Sequence, residues 1–319
     1  MKDRIPQLDY LKGIFILTMV ISHLALLEDK YPLLRPALNT FQMPAFLIMS
    51  GYFANVEKKI NTFINSILRI FIPYVIFEAA YLLMLFFIGK SMQASTSIDN
   101  LTFFSFIDLI AENPKGPYWY LHTLVICTSV YYFVYSILKL KRTTAFLVLS
   151  LILYGLTVVI DMFGWHNVIY FLIGVYISQS KRNLVETIPQ SFLTIIPLCI
   201  LFASCNNYVS GSLAGVSITI LVISFLLSIY EYCPVKARKF LSYLGCNTLV
   251  VVVFSPIFTI VTKIVAPYFK FDPTAITFVV FSLIFVVASS LFCSKVSDLL
   301  KISKYIFWKD RIYVGYKEI

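Results

Sequence analysis

Charge is what this sequence has least of. Asp, Glu, Lys and Arg together make up 13% of its 319 residues, and there are only three histidines. Against that stand 59% hydrophobic residues and a mean hydropathy of +0.84. A soluble domain of this length cannot cover so much apolar surface. Other absences narrow the class further. The polar/apolar alternation of a transmembrane barrel is missing. There is no Gly-rich linker, low-complexity tract or convincing repeat, so residues 1–293 read as one membrane domain and residues 294–319 as a tail. The six cysteines show no CxxC spacing and no metal-ligand pattern, and most fall in apolar runs, where Cys is a small buried apolar residue. No small-x-small site follows Leu27, so the first apolar run is not a cleaved signal. The basic residues are dispersed among loops rather than gathered in a stripe, which gives no reason to expect nucleic acid.

What remains is a series of apolar runs of roughly 17–25 residues, the length a spanning helix needs. The reading is all-α: a polytopic integral membrane protein with about ten transmembrane helices. The expected spans are Asp9–Leu27, Arg35–Ala54, Asn65–Ile88, Trp119–Leu138 and Thr144–Ile160, then His166–Ser178, Ser191–Cys205, Leu213–Tyr230, Leu244–Val265 and Thr274–Cys293. With both termini in the cytoplasm, the outer loops keep only Lys30, Arg35, Lys90, Lys115, Lys263 and Lys270 of the 26 basic residues. That is the positive-inside bias, and the +10 net charge then reports topology and contact with anionic lipids. The longest polar loop, Gly89–Tyr118, falls on the outer side. The basic, aromatic tail Ser294–Ile319 suits an inner membrane surface.

Few residues in this background carry chemistry. His23 is the only ionisable side chain between Gly13 and Leu27, and an ionisable residue inside a span is a functional-site hypothesis by default. Asp9 and Lys12 sit one turn apart at the cytoplasmic end of the same helix. His23 lies 14 residues beyond Asp9, roughly 21 Å along a helix and on nearly the same face. An imidazole there can serve as a general base or simply satisfy a neighbour. In FQMPAFLIMSGYF, Pro44 is expected to kink the second span, and Ser50 and Gly51 to allow close helix approach. Arg69 opens the third span, either as a phosphate-binding fork or as a snorkelling anchor. Glu78, nine residues deeper, is expected to be protonated or paired, and could orient His23 or face a wet cavity. Tyr118, Trp119 and Tyr120 form an aromatic belt or a sugar-stacking wall, with His122 one turn inside.

Taken in order, IPQLDYLKGIFILTMVISH, FQMPAFLIMSGYF, LRIFIPY, YWYLHTL and LSYLGCNTLVVVVFSP resemble the membrane-bound acyltransferase family 3, and within it the fucose 4-O-acetylase-like enzymes that acetylate cell-surface glycans. The resemblance implies acetyl-CoA as a cytoplasmic donor, no metal, and a glycan or lipid-linked sugar as acceptor at the outer face of the plasma (inner) membrane. It matches His23 to the family's catalytic histidine, and Asp9 and Lys12 to the charged pair that opens the first helix; Glu78 joins the catalytic candidates on its depth in the third span alone. Lys12 and Arg69 fall to the donor, Arg69 as a CoA phosphate contact. Trp119 matches the tryptophan of the family's WFL-type segment, and beside it Tyr118, His122 and Gln42 are acceptor candidates from their positions in this sequence. The sequence departs from the family in three places: Gln42 stands where a His often precedes Met-Pro, Ser66 replaces the first arginine of R-x-x-R, and Ser255 replaces a His before Pro256.

Two other classes compete. In a transporter or flippase, His23, Glu78 and Arg69 would line a pathway or proton relay, but the paired halves common in secondary transporters are not visible here. In a non-catalytic partner of glycan assembly, the departures would mark lost chemistry.

Overall fold

The computed structural model describes residues 4–88, 102–114 and 116–319, and among these there are helices and no strands. In chain order they are α1 (Pro6–Ser22), α2 (Ala25–Lys30), α3 (Leu34–Asn39), α4 (Gln42–Phe53), α5 (Ile60–Ile88) and α6 (Phe103–Ala111). Next come α7 (Trp119–Tyr132, continued by a π turn over Phe133–Ile137), α8 (Arg142–Val159), α9 (Trp165–Gln179), α10 (Leu184–Thr187) and α11 (Ile195–Phe202). The last are α12 (Leu213–Tyr230), α13 (Val235–Cys246), α14 (Thr248–Val265), α15 (Ile276–Leu299) and α16 (Ser303–Ile306).

Among the described residues, six segments are long and apolar enough to cross a membrane: Ile60–Phe87, Gly116–Ile137, Arg142–Val159, Leu213–Tyr230, Thr248–Phe269 and Ile276–Leu299. They coincide with six of the ten expected spans. The other four fall on shorter pieces. Asp9–Leu27 divides between α1 and α2, because His23 ends α1 and Leu24 turns extended, with φ −84° and ψ 120°. Arg35–Ala54 divides at Thr40 and Phe41 between α3 and α4. His166–Ser178 is the 15-residue α9, and Ser191–Cys205 holds an apolar helix over Phe192–Phe202. Within the expected Leu244–Val265 span, Asn247 separates α13 from α14.

Two local expectations are corrected. Pro44 does not kink a span. It is the third residue of α4, in a first turn whose N–H groups have no helical partner to lose. The outer loop Gly89–Tyr118 lies partly outside the described residues, but its second half contains α6, whose Thr102 and Ser105 form a reciprocal capping box.

The chain divides into two compact units. The first takes the residues up to Ala54, His166–Lys295 and Tyr313–Ile319; the second takes Asn55–Trp165 and Val296–Ile312. In the first unit α1 is central: Leu8, Leu11, Phe15, Ile16 and Val20 are fully buried. Its contact with α13 depends on small residues. A Cβ at Gly13 would lie 2.0 Å from the Leu241 carbonyl oxygen, and one at Gly245 only 1.8 Å from that of Asp9. The pairing of α4 with α9 repeats the device, since Cβ atoms on Gly51 and Gly174 would fall 2.2 and 2.0 Å from the carbonyls of Phe171 and Ile48. Such approach brings backbones into dispersion contact where lipid supplies no hydrophobic drive. The tail returns to this unit at Val314, whose N–H and C=O are both taken by the Asn247 amide, at 3.0 and 3.1 Å.

The second unit is held by aromatic and polar contacts. Phe63 of α5 stacks on Tyr132 of α7 with centroids 3.7 Å apart, and the Tyr132 hydroxyl donates to the Lys58 carbonyl at 2.9 Å. Phe307 is 1% exposed and packs near Phe77, while Trp308 donates to Asn65 at 3.1 Å. The Asp298 carboxylate accepts from the Ser303 hydroxyl and the Ile312 amide, which fixes the turn after α15.

Candidate active site

The nine candidate residues divide between the units: Asp9, Lys12, His23 and Gln42 lie in the first, and Arg69, Glu78, Tyr118, Trp119 and His122 in the second.

At the start of α1, Asp9 is 6% exposed yet carries two ion pairs. It accepts from Arg4 Nε at 2.7 Å and from Lys12 Nζ at 2.9 Å. A buried carboxylate survives as a charge only with such partners. Arg4 was not singled out from the sequence. It lies outside the helix, so no helical spacing links it to Asp9, yet its bond to Asp9 raises its pKa above the ordinary value. Its Nη2 also reaches the Cys246 sulfur at 3.0 Å. The bare Gly245 backbone against Asp9 is what brings Cys246 there. The Lys12 ammonium lies over the Phe53 ring, 5.1 Å from its centroid.

At the other end of α1, half-buried His23 is the helix's last turn. Ser22, beside it, is buried. Its hydroxyl donates to the Met19 carbonyl at 2.8 Å and accepts from Gln42 Nε2 at 3.0 Å. The same nitrogen donates to Asn39 Oδ1 at 2.7 Å. Both amide hydrogens of Gln42 are therefore used, and its Oε1 is left buried with no hydrogen-bond partner. Asn39 leads into a cleft of about 470 Å³ lined by Pro32, Arg35, Thr40, Tyr208 and Ser210 among others. Thr219 of α12 steadies this wall by donating to the Thr40 carbonyl at 3.1 Å. Ser22, Asn39, Arg35 and Tyr208 carry no periodic signal. Their meeting depends on the breaks at His23 and Thr40, which the apolar runs conceal.

In the second unit, Arg69 is exposed on α5. Glu78, on the same helix, is fully buried and interacts with the phenols of Tyr74, Tyr81 and Tyr118. Tyr118 is 1% exposed, with its ring edge-on to Tyr81 at 5.9 Å. Gly116, at φ +66°, makes room for the Tyr81 ring. Trp119 is half-buried, edge-on to Tyr120 at 6.3 Å. His122 is 6% exposed, with Nε2 2.8 Å from the Ala111 carbonyl. Among the described residues, no three His, Cys, Asp or Glu side chains gather as a metal set.

The described residues thus form an all-helical chain with an ion-paired Asp near the start of its first helix and a His at its end. Residues 5–295 match the acyltransferase domain of family 3, and the chain belongs to that family. No curated protein and no solved structure matches it.

Proposed function

We propose that this acyltransferase is an O-acetyltransferase that takes acetyl from cytoplasmic acetyl-CoA and places it on a hydroxyl of an exported or cell-surface glycan, in the manner of the fucose 4-O-acetylase-like enzymes. The observation that carries the reading is the hydrogen-bonded run Ser22–Gln42–Asn39, which joins the His23 end of α1 to a polar cleft. Its volume of about 470 Å³ suits a small ligand, and its Arg, Asn, Thr, Tyr and Ser lining suits a polyol.

The chemistry follows from these groups. His23 takes the proton of the acceptor hydroxyl as its oxygen attacks the thioester carbonyl. The new C–O bond forms, the C–S bond breaks, and the proton leaves with CoA as its thiol. Gln42 cannot turn, because both its hydrogens are held. Its Oε1 is an acceptor in wait for a sugar hydroxyl, which suits the replacement of the family's histidine by an amide. Asp9, with Arg4 and Lys12, fixes the opposite end of the helix that carries His23. Arg69, exposed near the start of α5, offers its planar fork to the CoA phosphates. On this reading the protein sits in the plasma membrane with both termini inside, which the bias of its basic residues supports.

The test uses purified protein and acetyl-CoA. A site that activates a hydroxyl near a thioester leaks to water when its acceptor is absent. Slow CoA release should occur and should be lost in His23→Ala. Absence of acetyl-CoA binding in a well-folded preparation at millimolar donor rejects the reading and returns transport or scaffolding.

A further inference from the structure

The second unit contains a cavity of about 490 Å³ between α5, α6 and α7, closed on one side by Met162. Its lining is almost wholly apolar, with Phe71, Val75, Ile107, Ile110, Val125 and Ile126 prominent. Two of its helices, α5 and α7, belong to segments long and apolar enough to span the bilayer. Only two lining residues, Tyr74 and His122, bring side-chain polar groups. The Tyr74 hydroxyl is already committed, since it donates to the Ile110 carbonyl. Its hydrogen is spent, so Tyr74 can only accept, and the remaining polar group is that of His122.

His122 is 94% buried by its 6% exposure. Its Nε2 lies 2.8 Å from the Ala111 carbonyl, which can only accept, so Nε2 carries the hydrogen. Nδ1 of the neutral ring is then a bare acceptor, and it is buried with no hydrogen-bond partner. A buried acceptor left unmade is costly, and each such case calls for an explanation. Water answers poorly, because the lining offers it only two acceptors, Nδ1 and the remaining lone pair of the Tyr74 hydroxyl, and no donor for its own oxygen. The missing group is a single donor attached to a hydrocarbon body.

We propose that this cavity binds a membrane lipid of the long-chain alcohol class, with its hydrocarbon along α5, α6 and α7 and its hydroxyl donating to His122 Nδ1. The selectivity follows from the surroundings. Among lipid tails an apolar lining gives little preference for one hydrocarbon over another. The hydrogen bond to Nδ1 is what distinguishes an alcohol from an alkane of the same shape. The site shares no residue with the cleft of the acetyl-transfer reading, and it gives His122, an acceptor candidate in the sequence, a role in lipid binding instead.

The experiment uses the full chain in phosphatidylcholine nanodiscs and two photoreactive probes: hexadecanol with a diazirine in its chain, and the matching alkane. Labelled peptides are read by mass spectrometry and occupancy by titration. The alcohol should label segments 71–75, 103–111 or 122–126 and bind about five- to tenfold more tightly than the alkane, the range one hydrogen bond sets. His122→Phe should bring the alcohol down to the alkane's affinity, and Ile126→Trp, which fills the cavity, should diminish both. Equal affinity of the two probes for the unaltered protein overturns the proposal without recourse to any variant. So does labelling elsewhere, or alcohol binding that His122→Phe leaves intact.

Discussion

Asp9 and Gln42 are each held by two partners, and that doubling sets what their substitution should do. Asp9→Asn keeps the shape but leaves Arg4 and Lys12 facing each other without a counter-charge. Removing one member of a fully buried ion pair costs about 3–5 kcal/mol, and the loss here is smaller because the Arg4 side chain is 44% exposed. The variant should therefore show a lower thermal midpoint in detergent together with reduced acyl transfer. Gln42→Leu should spare stability more, at about 1–3 kcal/mol for the buried partners it orphans, while raising KM for the acceptor. An unchanged acceptor KM removes Gln42 from the acceptor site. His23→Ala should lower transfer by about 10²–10⁴, measured as glycan O-acetyl content at equal protein abundance. For the donor, Arg69→Ala should weaken acetyl-CoA binding and Arg69→Lys restore only part of it, since an ammonium lacks the bidentate fork. Equal binding by all three marks Arg69 as an interfacial anchor.

At the scale of elements, glycine decides how closely helices meet, and capping decides where they start. Gly174→Val and Gly245→Val would drive a side chain into backbone. Overpacking typically costs about 1–3 kcal/mol, and rigid backbone leaves little room to relax. Both variants should unfold at lower temperature, and Gly245→Val should also disturb acyl transfer through Asp9. The start of α15 depends on Asp272, which accepts from the amides and hydroxyls of Thr274 and Thr277. Those bonds, from the Thr274 hydroxyl above all, hold its carboxyl well below the usual carboxylate range. A depressed carboxylate stabilises the fold above its unfolded pKa and loses that contribution as pH falls through the folded one. Amide exchange at Thr277 should thus be slow at neutral pH and accelerate only in strong acid, and Asp272→Ala should make it fast throughout.

For the whole molecule, the basic residues make a topology prediction. Reporters fused after Ile319 or at Lys141 should read cytoplasmic, and one between Gly89 and Lys115 external. An external C-terminus would overturn a donor site inside and an acceptor outside. Six spans were legible because each is a continuous apolar run in which helical turns follow one another, and Leu213–Tyr230 agrees to the residue. The divisions of Asp9–Leu27 and Arg35–Ala54 were not, because hydropathy sums over a window and does not register a two-residue break such as that at His23 and Leu24, whereas His166–Ser178 and Ser191–Cys205 are short runs in the sequence itself. The missed α6 illustrates the converse: Phe103–Ala111 is helical, but too short to register as a span and set in a polar neighbourhood.

The sequence by itself determined the class of protein and the order of its long helices, because composition, run length and ordered motifs are properties of the chain alone. The Asp9–Lys12 pair was also legible, since a three-residue helical spacing brings the two together. Tertiary structure alone decided the rest. Arg4 and Cys246 meet Asp9 because a glycine admits the α13 backbone. Asn39 and Ser22 meet on Gln42 because α1 and α3 both stop short. His122 keeps a bare acceptor because the end of α6 takes its other nitrogen. Each of these depends on contacts between segments distant in sequence or on where a helix ends, and neither quantity is encoded in any local period of the chain.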